Sequence, residues 1–222
     1  MTTYVLLKWA HIIAMVYWLG GEWGVFQTAY HVTNTNLSLE ERRRHLETAY
    51  RIDILARTGI VLLFPLGFHM GAAVYNAHPW GDYVPLVWVV MLAWLSLTWA
   101  AFIKRETDTG LMLTRIDERL RYVFIPLLFT VSLWSLVGDG PLTVTWYAAK
   151  VFIYSLLLII GLGLRFIMRH WTTIFRRMAV EGNTPELVAQ LQREIAMSRI
   201  MAYCYWIGIG SVAMFGVAKA PY

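Results

Sequence analysis

The chain has 222 residues, of which 58% are apolar and 15% charged, and it carries a formal net charge of +5. A soluble domain of this length carries closer to a quarter charged residues, so the composition excludes an ordinary water-soluble globule and makes lipid the solvent for the apolar excess. The lone Cys204 excludes an intrachain disulfide, and without a C-x-x-C-H sequence covalent c-type haem is excluded as well.

Six apolar stretches follow in chain order, at 4–26, 54–76, 83–103, 122–137, 146–168 and 195–217. Each is long enough to cross ~30 Å of hydrocarbon, the fourth being short and carrying Pro126. The first has no basic region before it and no small-residue cleavage site, so it is expected as a retained helix and not a signal peptide. Many of the eleven Trp, twelve Tyr and ten Phe sit at the ends of these runs, as interfacial belts do. The expected fold class is all-α: a polytopic membrane helix bundle of about six transmembrane helices forming a single domain.

The connections alternate. Segments 27–53, 104–121 and 169–194 are long and polar, whereas 77–82 and 138–145 are short and lack Lys and Arg. Sixteen of the nineteen Lys and Arg lie at the three long connections. The positive-inside rule makes that side cytoplasmic, places both termini outside, and fits a multi-pass protein of a bacterial inner membrane. The net charge is therefore topological: membrane lipid is the expected partner and nucleic acid is not. Short amphipathic helices are expected in the long connections, one opened by the capping box Ser38-Leu39-Glu40-Glu41 and running through Tyr50, another opened by Thr184-Pro185-Glu186 and able to continue straight into the sixth span.

Ionisable groups inside spans are expensive and mark function by default. Lys8, His11, Met15, Trp18 and Glu22 recur at spacings of three and four, on one helical face, with Gly20, Gly21 and Gly24 nearby. Arg57, Val61, Pro65 and His69 form a second stripe, and Lys150, Tyr154, Gly161 and Arg165 a third. The third span has no ionisable residue and is expected to face lipid. His11 and His69 both lie ~10 Å below the outer surface, counting 1.5 Å per residue. Two imidazoles at one depth suit a b-type haem, with Lys8 and Lys150 as propionate partners and Trp18 and Gly161 completing the cofactor-binding set. Copper is the alternative, since Met15 and Met70 add thioether donors to the same two histidines. A third reading makes both histidines hydrogen-bonded interhelical glue in a structural subunit. Glu22 and Arg57 are expected to pair, as a topological lock or a proton relay. His31 and His170 offer a second, inner metal or haem site, while His45 and His78 are expected to be solvated loop residues.

Leu7-Lys8-Trp9-Ala10-His11-Ile12-Ile13 followed by Trp18-Leu19-Gly20 resembles the opening helix of the HemJ-type protoporphyrinogen oxidase and CopD-like membrane protein superfamily. Tyr30-His31 is similar to the pair that closes that helix, the run 40–59 to its basic connector, and Trp146 to Lys150 to the W-x-x-x-K opening of a later helix. The resemblance covers most of the chain in order, and its strongest pieces are Lys8, His11 and Lys150. It implies b-type haem and either porphyrinogen oxidation or copper passage. A quinone or other redox partner, and a homo-oligomer or complex subunit, are expected alongside.

Overall fold

In a computed structural model that describes residues 2–219, the chain forms six long helices. These are α1 (Thr3–Val32), α2 (Leu39–Ala73), α3 (Val84–Ile103), α4 (Asp108–Val137), α5 (Thr145–Glu181) and α6 (Pro185–Ala218), with a short 3-10 turn at Gly81–Tyr83. All six are long and apolar enough to cross a membrane, and no strand is present among the described residues. The protein is an all-α multi-pass membrane bundle.

The expected starts of α2 and α6 are present. Ser38 Oγ accepts from the Glu41 backbone N–H at 3.2 Å while a Glu41 carboxylate oxygen accepts from the Ser38 N–H at 2.9 Å. Thr184 caps α6 at 3.4 Å, with Pro185 at its first position. Pro65 and Pro126 lie inside α2 and α4. Each withholds one N–H from the helical ladder, which a bundle neighbour can tolerate and an isolated helix cannot.

Apart from the helix opened at Thr184, which continues into the sixth span as expected, the long connections differ from expectation. They are continuations of the spans, not separate short helices: α1 runs on to Val32, α2 begins at Leu39, α4 at Asp108, and α5 reaches Glu181. With 37 residues, α5 is about 55 Å long at 1.5 Å per residue, well beyond a ~30 Å hydrocarbon core. The physical reason is that charge does not break a helix when it pairs along the helix. Arg51 meets Glu47 at 3.1 Å and Arg177 meets Glu181 at 3.0 Å, both one turn apart. A second apolar core of Val32, Leu46, Ala49, Trp171, Ile174, Met178, Leu187 and Leu191 closes the projecting ends together.

The helices follow one another around a ring, α6 closing onto α1, with α2 and α5 touching across the middle. The seam of α1 with α2 is the closest, and that of α1 with α6 is loose. Glycine makes the close seam: a Cβ at Gly21 would lie 2.8 Å from Ala56 Cβ, and one at Gly59 would strike the Ala14 carbonyl and come within 2.9 Å of the Trp18 nitrogen.

Candidate functional site

Polar groups collect at two levels on the α1 face that carries His11, Trp18 and Glu22, with an aromatic layer between them. At the short-loop end, His11 packs against Gly67 of α2: a Cβ there would sit 3.4 Å from His11 Cε1. Its Nδ1 is buried and has no hydrogen-bond partner among the described residues. Lys150 of α5 lies close enough for its charge to bear on that ring. The Lys150 ammonium points to α6, where a Cβ at Gly216 would come within 2.6 Å of Nζ. Among the described residues, the charge near enough to act on Lys150 is another cation, Lys219, and not a carboxylate. Tyr147 adds a hydroxyl, 3.4 Å from the Gly67 carbonyl. An imidazole nitrogen packed on α2 and an ammonium directed to α6 thus lie within electrostatic range of each other, neither with a hydrogen-bond or ion-pair partner among the described residues.

The structure does not join His69 to them. Gly67 and His69 are two residues apart on α2, roughly 200° around the helix at 3.6 residues per turn. The His69 ring lies on the α3 side, where its Nδ1 accepts from Trp88 Nε1 at 3.4 Å. Two axial histidines facing each other across one cofactor are therefore not the arrangement, and the copper set of His11, Met15, His69 and Met70 is divided in the same way. Lys8 is exposed, its Nζ 5.8 Å over the Tyr4 ring.

Trp18 and Gly161 also take other roles. Trp18, 1% exposed, donates through Nε1 to Tyr205 Oη at 3.0 Å. That hydroxyl lies over Gly161, where a Cβ would sit 2.9 Å away. Tyr154 meets the same indole edge-on at 6.0 Å. Gly161 makes room for a tyrosine of α6 and not for a flat ligand, and the three aromatics form a layer that separates His11 from Glu22.

Below that layer lies an ionic centre. Asp117 of α4, fully buried, accepts from Trp94 Nε1 at 2.7 Å, Thr98 Oγ1 at 3.2 Å, Arg121 Nε at 3.4 Å, and Arg165. Glu118 binds Arg169 at 2.8 Å. Arg57 pairs with Asp53 on its own helix and not with Glu22, so the expected pair is not formed. Glu22 feels Arg57 and Asp53 at range and accepts no side-chain hydrogen bond among the described residues. It lines a cavity of about 80 Å³ with Arg57, Arg121, Arg165, Tyr205 and Trp171. At ~10–15 Å³ for each water-sized probe sphere, that space suits several waters and no tetrapyrrole.

The remaining histidines are corrected in turn. His31 is exposed and stacks on His45 at 4.5 Å, while His170 pairs with Glu194 at 2.5 Å, so the inner pair His31 and His170 does not assemble. His78 is buried, not solvated: its Nε2 bonds the Phe68 carbonyl at 3.0 Å and its Nδ1 accepts the Trp80 N–H at 3.3 Å. Among the described residues no group of three or more His, Cys, Asp or Glu is placed to hold a metal.

Asp53, Asp117, Glu118 and Arg121 fall in the segments that the sequence marks as polar connections. Their signal is present in the chain: Asp53 to Arg57 and Asp117 to Arg121 are both i,i+4 pairs of opposite charge running directly into an apolar stretch. Likewise α3, free of charge, faces inward through Trp94 and Thr98 rather than presenting only a lipid surface. No family model, no curated protein and no solved structure matches the chain.

Proposed function

We propose that the chain is a membrane redox protein that holds a b-type haem at the His11 level, with His11 as the iron ligand and Lys150 as the partner of a propionate. The observation that carries this reading is the buried His11 Nδ1, without a partner among the described residues, within electrostatic range of an ammonium that has no carboxylate beside it among those residues. A neutral imidazole suits iron, and a lysine buried beside no acid suits an anionic edge. The resemblance of Lys8, His11 and Lys150 to the HemJ and CopD-like superfamily supports the same assignment. A bound haem would supply one-electron chemistry, for electron transfer to a quinone or partner protein or for porphyrinogen oxidation. The residues of this chain would orient it: Gly67 leaves the His11 ring its position, Gly216 leaves the Lys150 tip its position, and the Trp18–Tyr205 layer keeps the inner water away. His69, Lys8, Trp18 and Gly161 lie outside the ligand set. In this reading the basic end is cytoplasmic, in a bacterial inner membrane.

The test is a dithionite-reduced minus oxidised spectrum of the detergent-purified protein with pyridine haemochrome quantitation. A b-type spectrum at about one haem per chain is expected. A colourless protein after expression with ample haem would end the reading.

A further inference from the structure

The basic end holds a feature that the haem reading does not use. An open basin of about 1460 Å³ occupies the projecting helix ends, lined by eight arginines against four glutamates. Arg57 and Arg165 line both this basin and the small cavity at Glu22. Those two arginines are lining common to both spaces, which places the small cavity directly beside the basin. The small cavity also reaches Tyr205, which accepts from Trp18, with Tyr154 packed on the same indole.

We infer that Glu22 is a proton-exchange site at the closed end of a water-filled half-channel opening to the basic end. Glu22 is the carboxylate of this centre with no arginine bound to it. Asp53 and Arg57 of α2, Arg121 of α4, Arg165 of α5 and Tyr205 of α6 face it across the cavity. Asp53 and Asp117 have their own arginine partners. A carboxylate left without a partner in a membrane interior keeps its place when protonation can neutralise it. The cavity has the room and the polar lining that water needs, including the Trp171 indole N–H, which is buried without a partner. The step is simple: a hydronium in the cavity gives its proton to a Glu22 oxygen, forming an O–H bond and leaving water, and the reverse returns it to the basic end. Counted along α1, Glu22 lies ~16 Å from His11, too far for direct transfer, so the aromatic layer makes this a one-sided site. The inference stands on the inner cavity alone and does not depend on haem at His11.

Cys204 is the lone cysteine, which makes a thiol scan clean. In a Cys204→Ser background, Glu22→Cys, Ser198→Cys and Met15→Cys are placed in oriented proteoliposomes and treated with a small membrane-impermeant thiosulfonate. Ser198 lines the cavity on α6 and is the mildest change, so it reports even if Glu22→Cys misfolds. Reaction of Ser198→Cys and Glu22→Cys from the basic side, with none at Met15→Cys, is expected. In parallel, the infrared carboxylic-acid band of the otherwise unaltered chain should respond to the pH of the basic side and be lost in Glu22→Gln. A folded Ser198→Cys protein that is silent from the basic side, labelling of Met15→Cys from that side, or a pH-responsive band that persists in Glu22→Gln would each overturn the inference.

Discussion

At the scale of single residues, opposite fates await charges that look alike in the sequence. Asp117 satisfies two arginines and two uncharged donors at once, and its removal leaves buried Arg121 without an anion and Arg165 with only Glu118, at 3.9 Å. Asp117→Asn is therefore expected to cost about 3–5 kcal/mol, the usual penalty for orphaning a buried ion partner. Thermal unfolding in detergent reads it, and a variant as stable as the parent would show that the centre is not structural. His78 behaves differently. It accepts at Nδ1 from the Trp80 N–H and donates at Nε2 to the Phe68 carbonyl, an arrangement that only the neutral ring can make. Burial holds its pKa below the ordinary 6.5, and the Phe68 carbonyl opposes this in part. The unfolded chain then binds the proton more readily than the folded one. Stability is complete above the unfolded pKa and declines as pH falls through and below about 6.5. His78→Phe should flatten that acid limb of a stability-against-pH curve; an unchanged limb would remove His78 as its cause. Neither role was visible from residue type alone, since His78 sits in a short polar loop and only the packing of Phe68 and Trp80 shows its burial.

At the scale of elements, the outer ends of the helices are legible in the chain because the short loops break hydropathy sharply. Their basic ends are not, because hydropathy stops at the lipid boundary while the helix continues on Glu–Arg pairing and on the small core around Trp171 and Leu191. The candidate site shares that division. His11 and Lys150 follow from depth and helical phase, but the partners Gly67 and Gly216 depend on how α2 and α6 are rotated, which no single helix records. The α1–α2 seam is the element on which both levels hang. Gly59→Ala is expected to lose about 1–3 kcal/mol by overpacking against the Ala14 carbonyl, with His11 and Glu22 displaced together. Gly216→Ala is gentler, since its new methyl meets only the tip of Lys150. It should leave the melting temperature nearly unchanged while lowering haem retention. Haem content unaffected by Gly216→Ala would place the propionate partner elsewhere.

Over the whole molecule, α1 sets out a polarity that runs through the bundle: an imidazole and an ammonium toward the short-loop end, an aromatic layer, then an acid in a small cavity beside an arginine-lined basin. On the proposed reading, a protein built this way separates redox chemistry on one side from proton exchange on the other. The sidedness is read from the distribution of Lys and Arg, and the helix ring explains how groups on α1, α2, α5 and α6 come to share a centre. The assignment of His11, and not His69, is the point on which the account turns. Haem content of purified His11→Ala and His69→Ala, measured side by side by pyridine haemochrome, tests it directly. Loss of haem in His11→Ala with near-parental haem in His69→Ala is predicted; equal loss in both, or haem retained in His11→Ala, would contradict it.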